Sequence, residues 1–356
     1  MAHTTYRNRK AVQIENEQLQ LTVLVEGGHI AEIRHKGTGV NPLWTPPWPS
    51  IEPSAYDPQK HPEYGQNAES KLLAGIMGHN LCLDLFGPPS DEEAAAGMTV
   101  HGEASILPYR IEPAGACLTA CVELPTPQLL LERRIELAGD VVLIAETVEN
   151  LSRADRPIAW TQHVTLGPPF IEPGSTQFRA SVTQSRVYET DFAGGKGYMK
   201  PGADFQWPHV PHKDGGTVDL RVYPDYAVSG GYTAHLMDLN RDHSFFTAWS
   251  PSSRLLFGYV WKRNDFPWLG IWEENRSRDS APWNGCTITR GMEFGVSPMP
   301  ETRRQMIERG SLFGVPAFRW IPARTRVTAS YCAFLRSAQA IPEEVVWDGA
   351  FQVTTP

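Results

Sequence analysis

The feature that most limits how this chain can fold is the spacing of its breaks. In residues 105–150, short β-prone runs at 118–124, 129–137 and 141–148 alternate with proline or glycine about every ten residues. Breaks this frequent leave little room for helices of ordinary length, and they are typical of consecutive strands joined by tight turns. The region therefore predicts an antiparallel meander.

The same pattern extends over most of the chain. Residues 13–36 form two alternating runs that meet at Gly27-Gly28, which indicates a β-hairpin. Further β-prone runs lie at 233–238, 244–249, 254–260, 269–272, 287–294 and 326–335. Helix signals are few: residues 301–309 before Gly310, and one short turn at 90–96 that begins with a capping box.

The irregular segments 41–62, rich in proline and tryptophan, and 193–216, rich in glycine and proline, are predicted to be long loops. Neither is a linker, and there is no repeat. We therefore expect a single all-β domain over residues 1–356, built as a large antiparallel β-sandwich with few short helices.

Composition excludes several classes of protein. A hydrophobic content of 41% with 20% charged residues is that of an ordinary globular chain, and the net charge of −8 argues against a nucleic-acid partner. The polar N-terminus lacks a secretory core and no run is apolar enough to span a membrane, so a cytoplasmic protein is expected. The five cysteines form no Cys-x-x-Cys pair and are expected to be reduced and buried.

Two histidines and a carboxylate form a candidate acid/base set. His163 lies near the end of a β-type run, just before Gly167-Pro168-Pro169, and His101 and Glu293 lie in shorter motifs before and after it. The simpler interpretation of each residue is structural: an isolated histidine in a β-rich chain usually packs or faces solvent, and Glu293 could pair with Arg290. A site requires that the three come together.

Five short stretches, taken together, resemble the galactose mutarotase-like superfamily, which includes aldose 1-epimerases and hexose-phosphate mutarotases. Their order and approximate spacing agree with the family from about residue 20 to residue 335. The stretches are 27–33 (Gly-Gly-His-Ile-Ala-Glu-Ile), 78–102 (Gly-His-Asn-Leu to His-Gly), 162–163 (Gln-His), 267–275 (Pro-Trp-Leu-Gly-Ile-Trp-Glu-Glu-Asn) and 293–298 (Glu-Phe-Gly-Val-Ser-Pro).

The resemblance implies a sugar isomerase that interconverts anomers without a cofactor. It assigns Glu293 as the base, His163 as the acid and His101 as a group that hydrogen-bonds the sugar near its ring oxygen. His163 and Glu293 are expected on opposite sides of a sugar-sized space. Contacts to the sugar are expected from His79, Asn80, Glu273, Glu274, Arg290 and Trp272. The partner would be a small sugar or sugar derivative, and the protein a monomer or homodimer.

The chain departs from the family pattern at three places, since it has His79-Asn80 for Asn-Arg, Gly295 for Gln, and Glu273-Glu274 for Thr-Gly. These departures keep two other hypotheses open. One is a non-catalytic carbohydrate-binding or regulatory protein, and the other is a lyase or isomerase that acts on acidic sugars, which would require basic side chains facing the pocket. A metal held by His79, His101 and His163 is not expected, because no short-spaced His-x-His pair supports it.

Overall fold

The computed structural model describes residues 4–350 and 352–355, and all bounds below refer to this part of the chain. Its helices are α1 (Ser70–Leu73), α2 (Asp91–Ala95) and α3 (Arg303–Arg309), with three short 3₁₀ turns. Its strands, in chain order, are β1 (Thr4–Tyr6), β2 (Arg9–Glu15), β3 (Leu19–Leu24), β4 (Ile30–His35), β5 (His79–Asp84), β6 (Arg110–Ala114), β7 (Cys117–Leu124), β8 (Leu129–Ala138), β9 (Val141–Asn150), β10 (Arg156–Leu166), β11 (Gln177–Ala180), β12 (Val182–Val187), β13 (Asp204–Gln206), β14 (His209–Pro211), β15 (Thr217–Asp219), β16 (Ser229–Met237), β17 (His243–Ser250), β18 (Leu255–Lys262), β19 (Trp268–Asn275), β20 (Ile288–Gly295), β21 (Ser311–Leu312), β22 (Val315–Pro316), β23 (Arg319–Ile321), β24 (Arg326–Ser337), β25 (Val346–Trp347) and β26 (Val353–Thr354).

Two large antiparallel sheets contain most of these strands. The first runs in the order β1-β2-β3-β4-β5-β10-β20-β19-β16-β12-β13, with β23 added to the beginning of β10. The second runs β11-β17-β18-β24-β9-β8-β7-β6. Apolar side chains of both sheets form one continuous core between them, which includes Leu83 and Trp160 from the first sheet and Leu131 and Tyr259 from the second. The predicted all-β sandwich is confirmed.

The two sheets differ in how they use their outer faces. Strands β7, β8 and β9 alternate between buried and more exposed residues, so one face packs in the sandwich and the other meets solvent. In contrast, every residue of β5 and β19 is buried, as is nearly every residue of β10 and β20. The middle of the first sheet is therefore covered on its outer face as well, and this outer face holds the candidate site.

A polar network lies in the core directly beneath these central strands. Glu146 is fully buried and accepts hydrogen bonds from Arg133 Nε at 2.7 Å, Trp160 Nε1 at 2.9 Å and Gln162 Nε2 at 2.6 Å. Burial is the largest single influence on this carboxylate and raises its pKa, but the charge of Arg133 and the hydrogen bonds from Trp160 and Arg133 together outweigh it and hold the pKa of Glu146 below its ordinary value. A buried charge is tolerated only when it is paired and hydrogen-bonded in this way.

Several local predictions are confirmed. The hairpin is formed by β3 and β4, and the meander by β6 to β9. Both predicted helices begin with a capping box, Ser90 with Glu93 for α2 and Thr302 with Gln305 for α3, and α3 ends at Gly310. None of the helices in residues 4–350 and 352–355 has the length and apolar character that a membrane crossing requires.

Three local predictions need correction. The short helix α1 was not predicted, since it has neither a capping side chain nor a long apolar period. The segment 193–216 is not purely a loop, because it contains the short strands β13 and β14. The five cysteines are free, but only Cys82 and Cys332 are buried as expected, whereas Cys117 and Cys121 are partly exposed and Cys286 is exposed.

Candidate functional site

The site is built on three neighbouring strands of the first sheet. In the antiparallel register, His163 of β10 lies directly opposite Glu293 of β20 on one side and Asn80 of β5 on the other. Residues directly opposite in neighbouring strands point to the same face of a sheet. His163 and Glu293 therefore project together from the covered outer face, as sheet register requires.

His163 and Glu293 are in direct contact. The distance from His163 Nε2 to Glu293 Oε1 is 3.1 Å, and both side chains are almost fully buried. The imidazole is not aligned to hydrogen-bond this oxygen, which has no hydrogen-bond partner among the described residues. The expectation that the two groups lie on opposite sides of a sugar-sized space was wrong, because cross-strand pairing places them side by side.

Gly291 leaves the space that the Glu293 carboxyl occupies. The two residues are two apart on β20 and so share a face. A Cβ atom on Gly291 would lie 2.3 Å from Glu293 Oε1 and 3.1 Å from Cδ. Any larger residue at position 291 would displace the carboxyl from the histidine. The position therefore requires glycine for a steric reason that the sequence pattern does not reveal.

The pair lies in a cavity of about 270 Å³, close to the lower end of the range for small-molecule sites. Among the side chains of the described chain that line it, none belongs to asparagine or glutamine. The lining residues are Glu69, Leu72, Leu73, Ile76, Phe86, Gly87, Pro88, Val100, His101, His163, Tyr188, Thr190, Phe192, Tyr232, Trp272, Arg278, Trp283, Glu293 and Pro300.

His101 enters the cavity from an irregular segment after α2. Its backbone is left-handed, with φ of 69°, and its ring centroid lies 4.8 Å from that of His163. His101 Nδ1 donates to the carbonyl oxygen of Phe86 at 2.7 Å, because a carbonyl can only accept. In the neutral ring Nε2 is then an acceptor. His101 can therefore accept a hydrogen bond from a hydroxyl, but in this form it cannot donate one to a ring oxygen as expected.

Burial shifts the pKa values of all three groups toward their uncharged forms. It raises the pKa of Glu293 well above the ordinary value for a glutamate, and no cation of the described chain opposes the shift. Burial, reinforced by the His101 ring, lowers the pKa of His163 well below its ordinary value. Burial likewise lowers the pKa of His101 to about 4. At neutral pH both histidines are therefore uncharged.

One wall of the cavity combines tryptophans with a single basic residue. Trp272 lines the cavity, and its ring lies 5.9 Å from that of Trp283. The Arg278 guanidinium lies over both rings, 5.6 Å from Trp272 and 4.7 Å from Trp283. Arg278 also donates to Glu69 at 3.4 Å.

Three of these residues were missed by the sequence reasoning: Arg278, Trp283 and Glu69. Arg278 and Trp283 lie in the connection between β19 and β20, and Glu69 immediately precedes α1, so none of them belongs to a strand pattern. The abundance of tryptophan was the one signal, and it applied to Trp283 alone.

His79 and Asn80 do not line the cavity. His79 points into the sandwich core, where it hydrogen-bonds Tyr259 and Gln162, each at 2.9 Å. The prediction that it contacts substrate therefore does not agree with the structure, and it cannot join His101 and His163 in a metal site. Asn80 shares the face of His163, but its side-chain nitrogen donates to Ser105 Oγ at 3.2 Å.

Glu273, Glu274 and Arg290 also lie outside the cavity. Arg290 donates to Glu273 Oε2 at 3.1 Å in a fully buried ion pair on the core side of the sheet. Arg290 therefore does not pair with Glu293, which removes the structural interpretation of that carboxylate. Glu274 accepts from the backbone and side chain of Ser277, both at 2.6 Å, and so fixes the turn after β19.

A metal site is not apparent in the described part of the chain. Within residues 4–350 and 352–355, no group of three or more histidine, cysteine or acidic side chains has an arrangement that could hold a metal ion.

Comparison with known proteins gives a match at the level of structure. No protein-family model and no curated protein sequence matches the chain. A candidate aldose 1-epimerase from Klebsiella pneumoniae aligns over 94% of this chain and 82% of its own, with a TM-score of 0.66 and 13% identity. A galactose mutarotase-like protein from Clostridium acetobutylicum aligns over 94% and 98%, with a TM-score of 0.60 and 15% identity.

A galactose mutarotase related enzyme from Lactobacillus acidophilus aligns over 92% of this chain and 98% of its own, with a TM-score of 0.60 and 13% identity. Identities this low carry information about the backbone and not about the reaction. The arrangement of the sheets, together with these alignments over nearly the whole chain, shows that the protein has the galactose mutarotase-like fold.

Proposed function

We propose that the protein is an aldose 1-epimerase-like isomerase that interconverts the anomers of a sugar by general acid/base catalysis. The observation that carries the proposal is the pair of His163 and Glu293, 3.1 Å apart, buried on the floor of a cavity of small-ligand size and unpaired with any cation. Perturbed titratable groups in a cavity are the usual mark of acid/base chemistry.

The side-by-side geometry suits the reaction. The two oxygens that exchange protons in ring opening, the C1 hydroxyl and the ring oxygen, are bonded to the same carbon. An acid and a base in contact with each other can each reach one of them at hydrogen-bond distance. Opposite placement is therefore not required.

The proposed steps balance a single proton within the pair. The resting pair holds its single proton on Glu293, and in the minor form that reacts this proton lies on His163. In that form Glu293 takes the proton of the C1 hydroxyl while His163 gives its proton to the ring oxygen, and the C1–ring oxygen bond breaks. The open aldehyde rotates about the C1–C2 bond. On reclosure the neutral His163 recovers the proton from the C5 hydroxyl and Glu293 returns its proton to O1, which gives either anomer.

The pKa directions support these roles. A carboxylate whose pKa is raised by burial is a stronger base, and an imidazolium whose pKa is lowered is a stronger acid. Burial also favours the uncharged pair that the open-chain intermediate requires. His101 would accept a hydrogen bond from a sugar hydroxyl and so position the ring. Trp272 and Trp283 would offer faces on which the C–H surface of a sugar packs.

Of the other hypotheses, an acidic sugar is less well supported. Among the described side chains that line the cavity, Arg278 is the one arginine or lysine, and Glu69 and Glu274 approach it at 3.4 Å and 3.7 Å. Its charge is already compensated, so an additional carboxylate or phosphate would gain little from it. A non-catalytic sugar-binding protein would share the cavity but would not need an unpaired buried carboxyl.

The test is anomer exchange of freshly dissolved aldoses, followed by polarimetry or NMR against the spontaneous rate in the same buffer. We expect acceleration of at least one aldose, and a comparable loss for His163→Asn and Glu293→Gln. His101→Asn should lose less activity, because proton transfer remains possible without a positioning group. A protein that binds a sugar but accelerates exchange of none would favour the binding-protein hypothesis.

A further inference from the structure

Three of the polar side chains that line the cavity, His101, His163 and Glu293, lie together on its floor. Of the others, Arg278 and Glu69 pair with each other, and Tyr188 and Thr190 carry hydroxyls. His163 and Glu293 would be engaged by the C1 hydroxyl and the ring oxygen, and His101 offers one further acceptor. The Tyr232 hydroxyl donates to the carbonyl oxygen of Pro298 at 3.0 Å, so it can only accept a further hydrogen bond. Besides this acceptor and the hydroxyls of Tyr188 and Thr190, few groups remain to receive the other hydroxyls of a sugar.

Most of the other residues that line the cavity are apolar. Helix α1 brings Leu72 and Leu73 to the cavity, and Ile76 follows in the next turn of the chain. Phe86 and Val100 line the side near His101, and Phe192 lines another wall. None of these side chains carries a hydrogen-bonding group.

These walls penalise a fully hydroxylated sugar. A hydroxyl that leaves water and meets only apolar side chains loses hydrogen bonds that nothing replaces, which costs about ten-fold in affinity for each unpaired group. A C–H or methyl group at the same position loses nothing and gains from burial. The cavity thus favours a ligand that is polar at one end and apolar along its sides.

We propose that the substrate is a hydroxyl-poor sugar, a deoxy sugar with a free anomeric centre, rather than an ordinary aldohexose. This rests on the proposed function for the orientation of the ring, with C1 on the floor. The substrate class follows from the contrast between the polar floor and the apolar walls. Loss of ring hydroxyls removes the groups that these walls cannot pair.

The test is a matched series of D-glucose, 2-deoxy-D-glucose, 6-deoxy-D-glucose and 2,6-dideoxy-D-glucose. Exchange rates are measured by NMR and expressed as kcat/KM relative to each sugar's spontaneous rate, and binding is measured separately by calorimetry. We expect about a ten-fold gain in affinity for removal of a hydroxyl that faces a wall, and the best values for the dideoxy sugar. Equal or better binding of D-glucose would overturn the proposal.

The two readouts separate this inference from the proposed function. If the dideoxy sugar binds best but no sugar exchanges faster than in buffer, the substrate class stands as a ligand class and the catalytic proposal fails. If exchange is accelerated but D-glucose is preferred in both kcat/KM and binding, catalysis stands and the hydroxyl-poor ligand is wrong.

A pair of near-isosteric variants tests whether the wall itself makes the selection. Val100→Thr adds a hydroxyl to the cavity wall and should lower the preference for a deoxy sugar at the position that faces it. Val12→Thr places the same change in the sandwich core, where the valine is similarly buried, and should leave every ratio unchanged. Unchanged ratios in a folded Val100→Thr protein would overturn the assignment of this wall to the ligand.

Discussion

Replacing Glu293 with glutamine separates the chemistry of the site from its shape. Glutamine has the size of glutamate and can still hydrogen-bond a hydroxyl, but it cannot accept a proton at any ordinary pH. A positioned general base contributes about 10²–10⁴ in rate, or on the order of 3–5 kcal/mol of barrier. We therefore expect kcat of Glu293→Gln to fall by at least a hundred-fold, with sugar affinity nearly unchanged.

The same variant, which should lower kcat, should not lower the stability of the fold. The pKa of Glu293 is raised in the fold, so the native state favours its protonated form. Its contribution to stability is fully present below the unfolded pKa, about 4.3, and is lost as pH rises through the folded pKa. Glutamine stays uncharged throughout. The free energy of unfolding of Glu293→Gln should therefore equal or exceed that of the wild type at pH 7.

The assays are NMR exchange for kcat and urea unfolding at pH 7 for stability. Glu112→Gln, at an exposed position of β6, is the matched control and should change neither quantity. Undiminished exchange in a folded Glu293→Gln protein would refute the assignment of the base. Glu69, which also lines the cavity, would then be the next candidate, since Glu273 and Glu274 lie outside it.

Three further outcomes follow from the geometry. First, Gly291→Ala should displace the Glu293 carboxyl, since its Cβ would lie 2.3 Å from Oε1. This variant should lower kcat about ten-fold or more with little loss of stability, whereas Gly37→Ala in an exposed turn should change neither kcat nor stability. Second, activity requires the pair of His163 and Glu293 to hold one proton, so the pH profile of kcat/KM should be bell-shaped. Its acid limb should lie below pH 6.5, because the His163 pKa is lowered, and its basic limb above pH 4.5, because the Glu293 pKa is raised. An acid limb centred above pH 6.5 would contradict this. Third, burial lowers the pKa of His29, His79 and His235 to about 3. The stability that the uncharged rings contribute is therefore present above the unfolded pKa of 6.5 and is lost as pH falls, so each histidine should lower the free energy of unfolding by about 2 kcal/mol at pH 5. Equal urea midpoints at pH 7 and pH 5 would refute this.

The sequence by itself determined the elements whose signals are local. Gly27-Gly28 between two alternating runs gave the hairpin of β3 and β4, the capping box at Ser90 marked the start of one helix, and Gly310 marked the end of another. The alternation in β7 to β9 reports a sheet with one face in solvent, which is why the meander could be predicted. These features depend only on neighbours along the chain.

The resemblance to the mutarotase-like family suggested a common site for His101, His163 and Glu293, and all three do line one cavity. Their relation to each other came from the sheet. Only antiparallel register, between strands far apart in sequence, places His163 directly against Glu293 rather than across a gap from it.

The tertiary structure alone decided which face of each central strand carries the site. Successive residues of a strand point to opposite faces, so His79 and Asn80 diverge, as do Glu273 and Trp272. In a strand such as β19 every residue is buried, and no alternation of polar and apolar residues marks which side meets the core. A charged residue on the core side, such as Glu273, is paired there with Arg290. In the sequence it cannot be distinguished from a charged residue that lines the cavity.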